Sequence, residues 1–239
     1  MPFIKPVAAA LAGLFCISQP ALAEPLASAS SPDGSITVEV SLDNDGRARY
    51  SISRKGRLLI APSKLGFILT DQFAMNRGFK FAGSETGKGD ETWELPWGER
   101  RRVRNHYNEF LVRFRQQSYD KHQMNLRFRV FDGGVGFRYE IPEQDGLATM
   151  NIMDELTEFD VTPKGKAWWI TGGEWNRYEQ IYQETAIDAV ATAHTPITMK
   201  LEDGTHLSFH EAALVDYAGM WFKRAEGQKF RATLSPSSR

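Results

Sequence analysis

Two clusters and one charged run hold the residues best suited to chemistry. Between Trp168 and Glu184 stand Trp168, Trp169, Trp175, Tyr178 and Tyr182, together with Glu174, Glu179 and Glu184. Flat aromatic faces stack on the apolar faces of sugar rings, and carboxylates accept hydrogen bonds from hydroxyls. The same glutamates, with Asn176, offer the hard oxygen ligands that calcium prefers. The plainer alternative is that the tryptophans fill the core of a β protein and the glutamates face water. The second cluster is His210-Glu211-Ala212-Ala213, directly after the alternating Leu207-Ser208-Phe209. A carboxylate beside a histidine at a strand end can sit at the mouth of a cleft, or can be a surface pair. It is not a zinc-protease helix motif, because position 214 is Leu where a second histidine is required. The charged run is Arg100-Arg101-Arg102-Val103-Arg104, which suits phosphate or one solvated face of a strand.

Composition decides between the last two. Lys plus Arg is 29 and Asp plus Glu is 30, a formal net charge of −1. A chain so balanced has no general field for nucleic acid or an anionic membrane, which favours the solvated face. The single cysteine, Cys16, excludes a disulfide framework and any multi-cysteine zinc or iron–sulfur site. No dinucleotide-binding, P-loop, nucleophile-elbow or C-x-x-C motif occurs, and Gly133-Gly134-x-Gly136 is a hairpin turn rather than a phosphate loop.

The elements that must position these residues read as strands. Ile36, Val38, Val40 and Leu42 alternate with polar neighbours, and Asp43-Asn44-Asp45-Gly46 turns the chain. Phe110, Val112 and Phe114 mark another strand, with Arg113 and Arg115 on its other face. The clearest hairpin joins Met124, Leu126, Phe128 and Val130 through Asp132-Gly133-Gly134 to Val135, Phe137, Tyr139 and Ile141. No helical apolar period lasts beyond about two turns, Ile181 to Val190 being the nearest to one. Residues 93–97 (WELPW) and 168–182 read as aromatic loops. The expectation is an antiparallel, all-β, two-sheet architecture.

Residues 1–23 (MPFIKPVAAALAGLFCISQPALA) carry one basic residue, Lys5, then an apolar run from Val7 to Ile17, then Ala21-Leu22-Ala23. That pattern predicts a secretory signal cleaved before Glu24, and hence a periplasmic or secreted protein with no cysteine and no membrane attachment after cleavage. The run is about half the ~20 residues needed to span a bilayer.

Several stretches together resemble a known family. They are Ser31-Pro32-Asp33-Gly34, Phe128 to Tyr139 (FRVFDGGVGFRY), Asp154 to Phe159 (DELTEF), Trp168-Trp169, Tyr178 to Tyr182 (YEQIY), Thr195-Pro196-Ile197-Thr198 and His210 to Tyr217 (HEAALVDY). Their order from about residue 30 to residue 234 is similar to that in the N-terminal domain of glycoside hydrolase family 97.

The resemblance implies an exported, calcium-dependent α-glucosidase or α-galactosidase acting on an α-linked oligosaccharide or glycoside. It implies a galactose-mutarotase-like β-supersandwich over residues 24–234, packed on a catalytic (β/α)8 barrel and lending residues to its site. By motif position, His210, Glu211 and Ala212 contact substrate. Glu179 is the N-terminal calcium ligand, with Glu184 and Glu211 as less favoured alternatives. No catalytic acid or base is assigned here, because in the family both lie on the barrel, and residues 235–239 read as a remnant where the barrel would begin. Thr185-Ala186 departs from the family's Thr-Pro. The rival expectations are a stand-alone carbohydrate-binding module that stacks sugar on Trp168, Trp169 and Trp175, and a structural sandwich that binds a separately encoded barrel.

Overall fold

A computed structural model of the chain describes residues 24–117, 121–174 and 176–236. The expected signal segment 1–23, Trp175 and the last three residues lie outside the described residues. Among the described residues there are eighteen strands, one short 3-10 turn at Ile187–Ala189, and no helix long and apolar enough to cross a membrane.

Strands β1 (Ala27–Ser30), β2 (Ile36–Leu42), β3 (Ala48–Arg54) and β4 (Arg57–Lys64) form an antiparallel meander, followed by the short β5 (Phe67–Leu69). A second meander contains β6 (Phe79–Glu94), β7 (Arg102–Gln116), β8 (Gln123–Phe131) and β9 (Gly134–Glu140). Strand β10 (Ile152–Glu155) pairs with β5, and β11 (Glu158–Val161) returns to β4. The remaining strands are β12 (Gly165–Trp169), β13 (Gln183–Ala186), β14 (Thr192–His194), β15 (Ile197–Leu201), β16 (His206–Phe209), β17 (Met220–Glu226) and β18 (Lys229–Leu234). They complete an eight-stranded sheet, β1-β2-β3-β4-β11-β18-β17-β14, and a four-stranded one, β13-β12-β15-β16.

Alternation places the core. Val38 and Val40 on β2, Phe110, Val112 and Phe114 on β7, and Met124, Leu126, Phe128 and Val130 on β8 are all buried. They belong to one cluster that joins the large sheet to both smaller ones. Tyr50 on β3 lies 5.9 Å from Phe128, while Phe159 on β11 lies 6.4 Å from Tyr50 and 5.3 Å from Phe209. Phe159 therefore connects the half of the core under the β6–β9 sheet to the half under the β12–β16 sheet. Burying side chains of this size contributes roughly 1.5–3 kcal/mol each, which is what holds the sheets face to face.

The outer face of β7, β8 and β9 is a charge ladder. Arg127 donates to Glu109 and to Glu140, each at 2.6 Å, and Arg129 donates to Glu109 at 2.7 Å. The hydrogen bond from Arg127 holds the Glu140 carboxyl below its usual range. The arginine run is part of the same pattern. Arg101 and Arg102 pair with Glu94, and Arg104 is bidentate to Asp90 at 2.7 Å. These are cross-strand pairs of a solvated ribbon, in line with the balanced net charge.

Two aromatic stretches expected as loops begin in strand and continue as loop among the described residues. Trp93 and Glu94 end the 16-residue β6, and only the residues after them turn. Trp168 and Trp169 are consecutive on β12 and so point to opposite faces. Trp169 is 5% exposed and its Nε1–H donates to Thr185 Oγ1 at 3.0 Å. The stretch expected to come nearest a helix, Ile181 to Val190, becomes β13 and the single 3-10 turn.

Candidate functional site

The two sequence clusters converge at one corner. Strand β14 ends at His194, Thr195 follows, and β15 begins at Ile197. On one side of this corner the Tyr178 ring lies 4.1 Å from the buried His194 ring, whose other neighbour is Trp221 at 6.3 Å. The segment carrying Tyr178 is tied down by Gln180, whose side chain exchanges hydrogen bonds with the Thr171 backbone at 3.2 and 3.0 Å. On the other side, Thr195 Oγ1 donates to Glu211 Oε2 at 2.5 Å.

Glu211 organises the loop that leaves β16. Its second oxygen accepts the Met220 backbone N–H at 2.6 Å, so one carboxylate joins the start of the loop to the start of β17. The next residue back, His210, is exposed, and its Nδ1 lies 2.8 Å from the Glu211 carbonyl oxygen. A carbonyl only accepts, so Nδ1 carries the proton. In the neutral ring Nε2 is then an acceptor. Ala212 beside them is exposed.

A second carboxylate pins the far end of the same loop. Tyr217 Oη donates to Glu155 Oε2 at 2.7 Å, and Thr157 Oγ1 donates to Glu155 Oε1 at 2.6 Å. Tyr139 Oη lies 2.7 Å from Thr157 Oγ1 and accepts the Gly66 N–H at 3.0 Å. The Thr157 proton is committed to Glu155, so Tyr139 donates to Thr157. The resulting chain, Gly66 to Tyr139 to Thr157 to Glu155, satisfies every member, and both oxygens of Glu155 act as acceptors. Burial above all, then the negative charge of Glu155, pushes both phenols well above their usual range.

This corner is also apolar on its outer surface. Leu214, Val215, Tyr217 and Met153 are exposed, Val215 at 76%. The Ser235 N–H donates to Gly219 O at 2.7 Å, so the segment after β18 runs beside the same loop.

The three glutamates proposed by sequence for calcium differ in what they already hold. Glu184 pairs with Lys166 at 2.5 Å, and that hydrogen bond lowers its pKa. Glu211 is committed to Thr195 and Met220. Glu179 is exposed and makes no hydrogen bond or ion pair among the described residues. Among those residues no three His, Cys, Asp or Glu side chains cluster as a metal site. Glu179 therefore fits as one oxygen ligand, and a calcium ion requires 6–8 of them. The tryptophan platform of the binding-module reading is not assembled by Trp168 and Trp169, because the second is in the core.

Tyr178 and Glu211 thus flank the His194–Thr195 corner from its two sides, His210 adjoins Glu211, Glu179 adjoins Tyr178, and Glu184 is held by its lysine. Sequence reasoning passed over Glu155 and Tyr217 as site organisers. Their only signal was an acid in DELTEF and a tyrosine closing HEAALVDY.

A family model described as Glycosyl-hydrolase 97 N-terminal matches residues 29–237. The chain is 23% identical over 211 residues to a retaining alpha-galactosidase of Bacteroides thetaiotaomicron, a match that spans 83% of this chain and 30% of that protein. It is 41% identical to a Glycoside Hydrolase Family 97 enzyme of Pseudoalteromonas sp. solved in complex with panose. There the TM-score is 0.84 and the overlap covers 88% of this chain and 32% of the other. A beta-arabinopyranosidase at 20% identity and a TM-score of 0.77 shares the fold. The chain thus spans about a third of the length of these relatives. Residues 29–237 belong to glycoside hydrolase family 97, as its N-terminal domain.

Proposed function

We propose that this domain completes the sugar- and calcium-binding site of an exported α-glycosidase by packing its corner at His194, Glu211 and Tyr217 onto a catalytic barrel. One observation carries the reading. The loop bearing the family's His210-Glu211-Ala212 is clamped at both ends by internal carboxylates, with exposed Leu214 and Val215 beside it. A loop fixed in this way presents His210 Nε2 and Ala212 in a set position, while its apolar flank suits burial against another domain. Glu179 would donate a carboxylate to calcium. The bound ion would supply positive charge that orients sugar oxygens.

The acid and the nucleophile are proposed to lie on the barrel. The relatives' names include retaining alpha-galactosidases, and a retaining course needs two carboxyl groups roughly 5–5.5 Å apart. Here Glu155 and Glu211 are both occupied as structural acceptors, so neither is offered for that role.

The test has two arms. The purified 239-residue chain should not turn over aryl α-glucosides or aryl α-galactosides, and turnover by contaminant-free chain would overturn the division of labour. When this domain replaces its counterpart in the Pseudoalteromonas enzyme, Glu179→Gln should weaken calcium binding by at least about tenfold, while Glu184→Gln should not. Equal effects of the two would remove Glu179 from the role.

A further inference from the structure

Strand β6 is the outer strand of its sheet and runs 16 residues. Strands in globular proteins usually have about 3–10 residues. Strand β8 supports β7 only from Tyr107 to Arg115, so residues 90–106 project as a bare two-stranded arm. The charges on this arm largely neutralise one another: Asp90 pairs with Arg104 and Glu94 with Arg101 and Arg102. Its large apolar groups have no such cover. Trp93 and Leu95 are exposed, and Trp97 is 82% exposed. The arm thus offers apolar surface and an open strand edge rather than a charged face.

That edge has no proline, its one irregularity lies between Phe81 and Gly83, and its middle, Ser84-Glu85-Thr86-Gly87-Lys88-Gly89, carries two charges of opposite sign. The arm leaves the body at the strand ends beside the Ser31–Gly34 turn, where Asn108 Nδ2 donates to Ser30 O at 2.8 Å. Strand β18 leaves at the opposite strand ends, beyond Glu158 and Arg231. The end of β18 therefore lies on the side of the body away from the arm.

We propose that the β6 edge is a self-association surface, on which a second copy of this chain pairs antiparallel about Gly87. A two-fold axis normal to the sheet requires paired residue numbers of the same parity. Centring it on Gly87 sets Glu85 opposite Gly89, Lys88 opposite Thr86, Asp90 opposite Ser84 and Glu91 opposite Gly83. No like charges oppose one another. Past the irregularity between Phe81 and Gly83, Thr92 of one copy meets the exposed Phe81 of the other, and Trp93 meets its Lys80, a cation over an indole face. Each arm lies along the other copy's body, and two four-stranded sheets become one of eight. Each copy uses this edge once, so assembly closes at two.

The test is sedimentation equilibrium of the full chain beside two variants. Gly87→Lys sets two lysines face to face on the axis. The fold tolerates it, because a Cβ at 87 meets only Glu109, at 3.7 Å or more, and φ there is not positive. The native chain should form a dimer, and Gly87→Lys should weaken it by at least about tenfold, with an unchanged unfolding midpoint at concentrations where both chains are monomeric. In a Cys16→Ser background, mild oxidation should link Gly87→Cys into a covalent dimer but not Ser84→Cys, because a pair at 84 sits six residues out of register. A native chain that is monomeric at about 100 µM, a dimer indifferent to Gly87→Lys, or equal cross-linking at 84 and 87 would each overturn the proposal.

Discussion

Replacing Glu211 with Ala removes the acceptor for the Met220 N–H and for the Thr195 hydroxyl at once. Hydrogen bonds to a charged group contribute about 1.5–3 kcal/mol each. Glu211 is only half-buried, so water replaces part of what is lost, and about 2–3 kcal/mol in total is a fair expectation. The loss is local, because residues 210–219 lie outside the strands and can open while the sheets stay paired. Amide hydrogen exchange across residues 210–220 should therefore accelerate by about a hundredfold, since 2.7 kcal/mol is a factor of 100. The global midpoint should fall by less than the full ~2–4 °C per kcal/mol typical at this size. Glu211→Gln keeps an oxygen for Met220 and turns its amide toward Thr195, so it should cost only about 1 kcal/mol. Acceleration of less than about threefold in Glu211→Ala, or identical behaviour of the Ala and Gln variants, would refute the view that this carboxylate clamps the loop.

Three further outcomes are expected. Tyr139→Phe keeps the ring against Phe67 but strands the Gly66 N–H and takes away the donor to Thr157 Oγ1; urea unfolding should register a loss of about 2–3 kcal/mol. Gly66→Ala should be worse, at ~3 kcal/mol or more. Gly66 has φ +135°, and an added Cβ would lie 2.4 Å from the Met75 carbonyl oxygen, so a thermal midpoint near the native one would show that the turn relaxes more easily than the structure implies. Stability should also fall in acid. The Ser31 hydroxyl, then the Ser35 N–H, hold Asp33 down to about 2, and Arg127 holds Glu140 below its usual range. Carboxylates depressed in the fold stabilise it fully above their ordinary values near 4 and lose that contribution as pH falls through the folded values. Thermal midpoints should be flat above about pH 5 and decline from there toward pH 2; a midpoint independent of pH over that window would contradict these assignments.

The strands at 36–42 and 124–141 were legible because one face of each meets the opposing sheet, so period-2 alternation in sequence becomes alternation in burial. Strand β6 was not legible for the complementary reason. Much of it outruns the large sheet, no core selects apolar residues at every second position, and its three glycines and many polar residues imitate a loop. Trp168-Trp169 misled in another way. Adjacency in sequence suggests a joint surface, whereas a strand sends neighbours to opposite faces, and Trp169 went into the core. Glu155 is hidden for a topological reason. Its partners Thr157 and Tyr217 stand 2 and 62 residues away, and no local pattern announces a pairing of the second kind.

Motif position treats neighbouring residues alike, and the structure separates them. His210, Glu211 and Ala212 are contiguous, and resemblance treats them alike, yet their surroundings separate them. Both Glu211 oxygens are engaged inside the protein, so in this conformation the residue shapes the loop rather than reaching out of it. His210 spends Nδ1 on the Glu211 carbonyl, which leaves Nε2 as an acceptor suited to a hydroxyl donor. The same separation applies to the acids near Tyr178. Glu184 is paired with Lys166, whereas Glu179 is exposed and makes no hydrogen bond or ion pair among the described residues. Residue type and spacing name the candidates; the hydrogen-bond capacity each has left decides which can bind.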